Sequence, residues 1–312
     1  MESKKSLLGL DLGGTSVKYG LATPSGEIIR QFQRPSFSEE ASRVIIENLL
    51  EAAFEAKNFA AAAGYEVVSV GVGTPGSVDV TSGLLMGGTP NLAHWKKVPL
   101  KAELENALKI PVFVDNDANM MVYGEFVLGA AKGLQNIVGV TLGTGIGGGI
   151  IIGGEIFRGS RFAGAELGHM SVAFDGIPCR CGGKGCWEKY ASATAMIELY
   201  NSLNGKVKVN STRQIFDRLE SDDSAAQRTV EMEIQAAAVG VANILNIFNP
   251  EIVVIGGGVS EAGDWFVERI AARSRERAME EAARNVRIVR AALGNSAGWL
   301  GAALLANAPA LD

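Results

Sequence analysis

LLGLDLGGTSVKYGLATPSGEI, residues 7–28, is an apolar run that ends in a Gly/Thr turn, followed by a second apolar run and a Gly-containing hairpin before Glu-Ile. IVGVTLGTGIGGGIIIGGEI, residues 137–156, repeats that order. Runs rich in Val, Ile and Leu that are separated by Gly and Thr are typical of β-strands joined by tight turns. The two stretches therefore predict the same strand arrangement in two parts of the chain, with Asp11 opposite Thr141.

The correspondence continues downstream of both stretches. VVSVGVGTPGSV (67–78) resembles EIVVIGGGVS (251–260), since each is a buried-type strand followed by a Gly-rich turn. VFVDNDANMMVYGE (112–125) resembles IVRAALGNSAGWLGA (288–302), each a strand, a polar turn with Asn and a helix of small residues. Three matching pairs in the same order predict the duplication of one α/β unit.

Helical patterns separate the predicted strands. Apolar residues recur at helical spacing over 41–64 and 224–250, and the first pattern stops at a Gly and the second before a Pro. Strands alternating with helices predict mixed sheets covered by helices. We expect two domains, 1–118 plus 298–312 and 119–297, with a ligand-binding cleft between them.

Composition excludes several classes of protein. The chain of 312 residues is 47% hydrophobic and 20% charged, as in compact globular proteins, and its net charge is −5. A negative chain offers no electrostatic attraction for nucleic acid or an anionic membrane. The N-terminus does not resemble a signal peptide, and no apolar run reaches the 18 or so residues of a membrane span. We therefore expect a cytoplasmic protein that binds neither nucleic acid nor membrane.

The glycine-rich loops do not match two common nucleotide motifs. GTGIGG (143–148) fits G-x-G-x-x-G, but a β-type run follows it where the dinucleotide fingerprint requires a helix. Gly183-Lys184 is followed by Gly185, so a Walker A loop is missing as well.

Two equivalent Gly/Thr turns remain, and they suit an anion. Glycine leaves backbone N–H groups accessible to phosphate oxygens, whereas a single such turn by itself indicates only a tight hairpin. Asp11 is placed to hold a cation beside the phosphates, and Thr15, Thr141 and Thr144 offer hydroxyl groups.

The three cysteines of the chain lie together in CRCGGKGCWEKY (179–190). Cys179, Cys181 and Cys186 supply three thiolates, and Zn²⁺ normally takes a fourth ligand, with Cys₃His among its common sets. One of the two histidines, His169, lies ten residues before the cluster and can fold back onto it. A redox pair is expected as Cys-x-x-Cys, which this spacing is not, and a disulfide is disfavoured in the cytoplasm. Structural zinc is the leading interpretation, with redox-active or inert thiols as the alternatives.

A family resemblance covers nearly the whole chain. LDLGGTSVKYGL, GVGTPGSVD, PNLAHW, DNDANMMVYGE, TLGTGIGGGI, AGAELGHMSV and CRCGGKGCWE together resemble the ROK family of sugar kinases, and most of all its bacterial glucokinase branch. The resemblance implies the two-domain actin-like (ribonuclease-H-like) ATPase fold. It also implies an ATP- and Mg²⁺-dependent kinase that phosphorylates the 6-hydroxyl of a hexose, with glucose as the expected sugar, and a homodimer.

The resemblance also implies residue roles. Asp115 and Asp117 are both candidate bases on chemistry alone, and the family pattern selects Asp117 as catalytic. The implied sugar-binding residues are Gly73, Thr74, Pro75, Gly76, Asn91, Asn116, Asp117, Glu166, His169 and Glu188. The implied nucleotide-binding residues are Asp11, Gly13, Gly14, Thr15, Thr141, Gly143, Thr144, Gly145, Gly256, Gly257 and Gly258. The implied zinc ligands are His169, Cys179, Cys181 and Cys186.

Other functions stay open at this point. Mannose, fructose, N-acetylglucosamine and N-acetylmannosamine share the hydroxyls that these motifs contact. A non-catalytic sugar-sensing regulator and an actin-like assembly protein are alternatives of a different class. The family's repressors carry an N-terminal helix-turn-helix, for which we expect no room because the first strand begins near residue 6. Lys18 alternates with apolar residues and is expected to be a solvated strand position.

Overall fold

The computed structural model describes residues 3–87, 92, 94–203 and 207–308. The chain forms two compact units. Unit 1 comprises the described parts of residues 1–133, 156–164 and 295–312, and unit 2 comprises those of 134–155 and 165–294. Each unit has its own β-sheet.

Groups of strands are separated by one or more helices along the chain. The strands are β1 (Lys4–Leu12), β2 (Ser16–Ala22), β3 (Ile28–Pro35), β4 (Tyr65–Thr74), β5 (Ser77–Asp79), β6 (Leu84–Gly87), β7 (Val112–Asn116), β8 (Ile137–Leu142), β9 (Ile146–Ile152), β10 (Glu155–Ile156), β11 (Ile252–Gly256) and β12 (Arg287–Arg290). The helices are α1 (Ser42–Ala62), α2 (Leu100–Leu108), α3 (Asp117–Val127), α4 (Ala193–Leu203), α5 (Thr212–Leu219), α6 (Ser224–Phe248), α7 (Asp264–Arg275), α8 (Glu280–Ala283) and α9 (Ala297–Leu305). Short 3₁₀ turns at Leu167–His169 and Trp187–Lys189 matter for the site.

The sheet of unit 1 has the order β3-β2-β1-β4-β7. β1, β2 and β3 are antiparallel neighbours, whereas β1, β4 and β7 run parallel. In the register, Asp11 of β1 pairs with Gly73 of β4, and Gly73 pairs with Asp115 of β7. The carboxyl ends of the three parallel strands therefore meet at one edge of the sheet, where ligands of α/β proteins usually bind.

The sheet of unit 2 has the equivalent order β10-β9-β8-β11-β12. Thr141 of β8 pairs with Gly147 of β9 and with Gly256 of β11. Asp11 occupies the same place in unit 1, since it pairs with Lys18 of β2 and Gly73 of β4. The duplication predicted from the repeated stretches is confirmed, including the equivalence of Asp11 and Thr141.

Helices cover both faces of the unit 1 sheet. The apolar faces of α1 and α2, which include Ile45, Leu49 and Leu104, form one core with the strands. On the opposite face α9 lies directly on the sheet, because β1 and β4 present glycines to it. A Cβ at Gly9 would collide with the carbonyl oxygen of Trp299, and one at Gly71 would collide with that of Ala302.

Unit 2 is organised around α6. Asp223 caps this helix by accepting hydrogen bonds from the N–H groups of Ala225 and Ala226. The helix ends at Asn249, which takes a left-handed conformation with φ of 40° just before Pro250. Its buried face packs on β8 and β11 in a core that includes Trp187 and Phe266. Within the described residues, no helix has the length and apolarity to cross a membrane.

Candidate functional site

Asp117 is the first residue of α3, and its neighbours fix it there. The side-chain oxygen of Asn116 caps the helix, accepting from the N–H groups of Ala118 at 2.9 Å and Asn119 at 3.2 Å. Asn116 Nδ2 donates to the carbonyl oxygen of Gly76 at 3.2 Å, and Asp117 Oδ1 accepts from the N–H of Ala118 at 2.9 Å. A carboxylate at a helix N-terminus is stabilised by the helix dipole. The carboxyl group of Asp117 is therefore held in a defined position at the N-terminus of α3.

The loop after β4 approaches Asp117 closely. A Cβ at Gly73 would lie 3.5 Å from the Cα of Asp117. Gly76 has a φ of +94°, a conformation that favours glycine. Thr74 and Trp95 are fully buried, and the indole N–H of Trp95 donates to Thr74 Oγ1 at 2.7 Å. The loop is thus held from behind by a buried hydrogen bond.

Two further positions follow this loop in the sequence, Asn91 and His94. Asn91, a predicted sugar contact, lies outside the described residues. His94, which the sequence did not connect with the cysteines, is exposed.

Asp11 is held in an unfavourable electrostatic position. Desolvation, and to a smaller extent the negative charge of Asp117, raise the pKa of its carboxyl group to about 7, and the charge of Lys18 opposes this shift. Gly298 leaves room for the carboxylate, because a Cβ there would collide with Asp11 Oδ2. A carboxylate in this state is the kind of group that gains most from a bound divalent cation.

The first Gly/Thr turn links β1 to β2. Gly13 N–H donates to the carbonyl oxygen of Ser16 at 2.9 Å, and the carbonyl oxygen of Gly14 accepts from Ser36 Oγ at 3.0 Å. The carbonyl oxygen of Thr15 accepts from the N–H of Ser36 at 3.2 Å. These contacts fix the shape of the turn, and a Cβ at Gly14 would point into open space.

The second Gly/Thr turn links β8 to β9, and the start of α4 supports it. The carbonyl oxygen of Gly143 accepts from the N–H of Ala193 at 2.8 Å, and that of Thr144 accepts from Thr194 Oγ1 at 2.7 Å. Thr141 Oγ1 accepts a backbone N–H of β9 at 3.1 Å, which leaves its own proton free to donate.

A cavity of about 630 Å³ lies beside the loop after β11. Gly257 has a φ of +86°, and a Cβ there would lie 2.5 Å from the carbonyl oxygen of Leu142. Gly258 lines the cavity together with Phe216 of α5 and Trp265 of α7, whose rings meet edge to face at 6.4 Å. These two aromatics could not be identified from the sequence, because nothing in the helical patterns of α5 and α7 indicates which residues face the glycine loop.

His169 and the three cysteines come together in unit 2. Their donor atoms all lie within 4.8 Å of one another. Cys181 Sγ lies 3.5 Å from Cys186 Sγ, and Cys179 Sγ lies 3.8 Å from His169 Nδ1. A tetrahedron with zinc–sulfur bonds of about 2.3 Å has ligands about 3.8 Å apart, so these separations fit Zn²⁺. The prediction that His169 folds back onto the cysteines is confirmed by these distances.

Glycines shape the cysteine loop, and burial affects its thiols. Gly182 and Gly185 have φ of +94° and +70°, conformations that favour glycine. Burial raises the pKa of Cys186 to about 12, whereas a hydrogen bond from Gly183 N–H lowers that of Cys181. A metal ion supplies the positive charge that thiolates in such a setting require.

Glu188 stands between this ligand group and the second Gly/Thr turn. Its Oε1 accepts from Cys179 Sγ at 3.3 Å and lies 3.7 Å from His169 Nδ1. A Cβ at Gly145 would lie 2.5 Å from Glu188 Oε2. The preceding Trp187 is fully buried and donates to the carbonyl oxygen of Ala236 in α6 at 2.8 Å, which anchors the segment.

Glu166 lies at the start of the other 3₁₀ turn. Its carbonyl oxygen accepts from the N–H of His169 at 3.0 Å, and the preceding Ala165 has a φ of +63°. Desolvation raises the pKa of Glu166; His169 acts against this shift and Glu188 adds to it. Two carboxylates and a histidine therefore share one region of unit 2.

Asp115, the other candidate base, differs from Asp117 in its surroundings. Its side chain is 2% exposed and forms an ion pair with Arg158. A carboxylate that is enclosed and already paired is not free to meet a substrate. Arg158 was not identified in the sequence, because only the folded chain brings residue 158 to the end of β7.

Comparisons with known proteins give consistent results. The ROK family model matches residues 7–308. A glucokinase of Thermotoga maritima is 36% identical in an alignment that covers 96% of this chain and 96% of that relative. A putative xylose repressor of a Caldicellulosiruptor species is 34% identical over 85% of this chain and 68% of the repressor.

A solved structure is similar over almost its entire length. A ROK family glucokinase from Streptomyces griseus, in complex with glucose and AMPPNP, matches with a TM-score of 0.86 at 31% identity. The match covers 97% of this chain and 99% of that chain. With the duplicated α/β units, this similarity identifies the two-domain actin-like ATPase fold. Family model, relatives and fold agree, and the chain belongs to the ROK family.

Proposed function

We propose that this chain is an ATP-dependent hexose kinase that phosphorylates the sugar 6-hydroxyl, with glucose as its preferred sugar. The observation that carries the proposal is the structural similarity to a glucokinase that holds glucose and AMPPNP. This similarity covers 97% of our chain and 99% of the glucokinase. The oriented carboxylate of Asp117 within unit 1 and the two carboxylates of Glu166 and Glu188 within unit 2 support it, since sugar phosphorylation needs an oriented base and several acceptors for hydroxyl groups.

Unit 1 supplies the base in this proposal. Asp117 orients the 6-hydroxyl and accepts its proton as the phosphoryl group is transferred. Asn116, the loop Gly73-Thr74-Pro75-Gly76 and Asn91 bind the sugar. Because the hydroxyl of Thr74 is buried against Trp95, we assign its contribution to the backbone of the loop.

Unit 2 supplies the other sugar contacts. The carboxylates of Glu166 and Glu188 accept hydrogen bonds from sugar hydroxyls, and each can accept two. His169 and the cysteines Cys179, Cys181 and Cys186 hold a structural Zn²⁺, which keeps the segments carrying the two glutamates in place. With Nδ1 of His169 directed at the cysteines, its Nε2 is left to meet a sugar hydroxyl.

The nucleotide contacts come from both sheets. Asp11 would hold Mg²⁺, which offsets the negative charge of the phosphates in transfer. The turns Gly13-Gly14-Thr15 and Gly143-Thr144-Gly145, with Thr141, donate to phosphate oxygens. Gly256, Gly257 and Gly258 lie at the adenine side, where Phe216 and Trp265 give the cavity of about 630 Å³ an aromatic lining for the base.

We also propose a cytoplasmic homodimer that binds neither nucleic acid nor membrane. The net charge of −5 supports the absence of a polyanionic partner. Light scattering of the purified protein at two concentrations measures the oligomeric state, and a monomer at both would contradict the dimer.

A coupled assay of ADP release tests the function. The purified chain is given Mg-ATP with glucose, mannose, fructose, N-acetylglucosamine or N-acetylmannosamine in turn, and a sample without sugar serves as the blank. We expect the highest kcat/KM with glucose. A higher value with another sugar would correct the substrate, and sugar binding by calorimetry without turnover on any of the five would indicate a regulator.

A further inference from the structure

Arg158 reaches the end of β7 from a segment that is distant in sequence. Its Nε and Nη2 donate to Asp115 Oδ2 at 2.8 Å and 2.7 Å. The side chains are only 11% and 2% exposed, respectively. Residues 156–164 belong to unit 1, although the strands just before them belong to unit 2. The ion pair therefore fixes this inserted segment to the strand end that precedes the proposed base.

The other oxygen of Asp115 organises the residues on both sides of Asp117. Asp115 Oδ1 accepts from the N–H of Asn116 at 2.7 Å and from Nδ2 of Asn119 at 3.0 Å. The N–H of Asn119 in turn donates to Asn116 Oδ1 at 3.2 Å. Asp117 lies inside this closed set of hydrogen bonds. A rotation of the Asp115 side chain would change the first turn of α3 and the direction of the Asp117 carboxylate.

The inserted segment holds Arg158 in a defined position. The carbonyl oxygen of Arg158 accepts from the N–H of Gly164 at 2.9 Å, which closes a short loop. Gly159 inside the loop has a φ of +69°, and a Cβ at Gly164 would lie 2.9 Å from the carbonyl carbon of Arg158. The guanidinium group is thus presented by a constrained backbone, and it meets Asp115 through two nitrogens.

Three carboxylates lie at this edge of the sheet, and their negative charges need compensation. Asp11, Asp115 and Asp117 all lie where β1, β4 and β7 end, and Asp11 already experiences the negative charge of Asp117. An uncompensated Asp115 would add a third negative charge to this edge. Arg158 compensates it through contact with the carboxylate itself.

Stability alone does not account for such a pair. A buried ion pair gives little net stabilisation compared with apolar residues of the same size, because both charges lose their hydration. Its value lies in fixed geometry and charge balance. We propose that Arg158 is a positioning residue that, through Asp115, sets the orientation and electrostatic surroundings of the Asp117 carboxylate; this rests on the proposed kinase function.

The test compares kinetic constants of four variants with those of the wild type. In Arg158→Gln we expect kcat to fall about 10- to 100-fold, with KM for ATP changed less than about threefold, because the displaced residues, Asn116 and Asp117, are assigned to the base and the sugar and not to the nucleotide. Asp115→Asn is expected to behave in the same way. In the double variant Arg158→Gln/Asp115→Asn two amides face each other, and we expect kcat no lower than in either single variant. Arg158→Lys restores the charge without the two-nitrogen contact and should recover part of kcat.

Arg161→Gln is the matched control, since Arg161 is an exposed arginine of the same inserted segment. It should leave kcat unchanged, and the Tm of every variant is measured alongside. An Arg158→Gln protein with a lower Tm but wild-type kcat would show that the ion pair only stabilises the fold, and it would overturn the proposal. So would effects on kcat that multiply in the double variant. If Arg158→Gln does not fold, the lysine and double variants decide by the same criteria. A wild-type chain that phosphorylates none of the sugars would instead refute the kinase function, and the positioning role with it.

Discussion

At the scale of single residues, the position of the Asp117 carboxylate is determined by the backbone around it. It stands at the N-terminus of α3, with the cap from Asn116 on one side and the glycine loop on the other. The helix dipole favours its ionised form, which is the form that accepts a proton.

The first prediction concerns this carboxylate. Asp117→Asn preserves size and removes the base, so we expect kcat to fall at least about 100-fold, in the range typical for loss of a general base. The dissociation constant for Mg-ATP, measured by calorimetry, should change little. A variant with wild-type kcat would show that another group accepts the proton.

Glu233 is a buried acid that the proposed mechanism does not use. It lies on the core side of α6, is 2% exposed, and its Oε1 has no hydrogen-bond partner among the described residues. Burial raises the pKa of Glu233 well above 4.5, and a hydrogen bond from the N–H of Ser192 opposes the shift only in part. The folded protein therefore holds a proton at this site that the unfolded chain releases.

The second prediction follows from that proton. A raised folded-state pKa means that stability is lost as pH rises above 4.5, the ordinary value for glutamate. In Glu233→Gln this side chain no longer titrates. The unfolding free energy of the variant minus that of the wild type should therefore increase with pH, by up to about 1.4 kcal/mol per pH unit. Urea unfolding between about pH 5 and 7 measures it. Glu231→Gln, on the same helix but partly exposed, is the control; a constant difference for Glu233→Gln would contradict the prediction.

The residue type alone was enough to predict the role of some of these positions, but not of others. The zinc-type group was predictable because cysteine and histidine carry their ligand chemistry in any context, and the chain has few of either. Lys18 lies on β2 and is partly exposed, as expected, and the structure adds that it is the cross-strand partner of Asp11 and donates to Asn295 at 2.6 Å. Arg158 and Glu233 gave no signal, since an arginine or glutamate in a sequence is usually at the surface.

At the scale of elements, α6 determines where the segment with Glu188 can lie. Gly240 faces the fully buried indole of Trp187, and a Cβ there would collide with the ring. Glycine in the middle of a helix normally costs about 1 kcal/mol relative to alanine. Its presence here is explained by the space that Trp187 needs.

The third prediction is that Gly240→Ala destabilises the protein in spite of the better helix propensity of alanine. Overpacking against a rigid ring costs about 1–3 kcal/mol, more than the gain in propensity. Because Trp187 precedes Glu188, we also expect a higher KM for sugar. Gln235→Ala, on the exposed side of α6, should change neither. Equal or greater stability of Gly240→Ala in urea unfolding would count against the packing argument.

Elements were predictable where periodicity was strong. The strands of the repeated stretches and the long helices α1 and α6 follow from apolar spacing, and the duplicated sheet order follows from the repeats. The 3₁₀ turns that carry Glu166 and Glu188 are too short to show a period. The inclusion of residues 156–164 in unit 1 depends on tertiary contacts that no local pattern records.

At the scale of the whole molecule, each unit has a hydrophobic core of its own. The core of unit 1 is built on α1, α2 and the first sheet, and that of unit 2 on α6, α7 and the second sheet. The metal-ligand group lies entirely in unit 2.

The fourth prediction is that loss of zinc affects unit 2 selectively. Cys181 is the exposed member of the cluster, so Cys181→Ser removes a ligand with little loss of packing. We expect about one zinc per wild-type chain by metal analysis and none in the variant. KM for sugar should rise, and amide hydrogen exchange should increase in unit 2 while β1, β4 and β7 stay protected. Lys184→Ala, in the same loop, should keep its zinc. A zinc-free wild-type protein never exposed to chelator would exclude the metal site.

The placement of α9 has a consequence for biosynthesis. Gly9 and Gly71, which the ribosome delivers early, receive their packing partners only when Trp299 and Ala302 have been made. Unit 2, whose last residues precede 295, is completely synthesised sooner. We therefore expect the usual order, in which the N-terminal domain folds first during translation, to be reversed. A chain truncated after residue 294 should resist protease in unit 2 while unit 1 is cleaved, because it contains all of unit 2 and lacks α9.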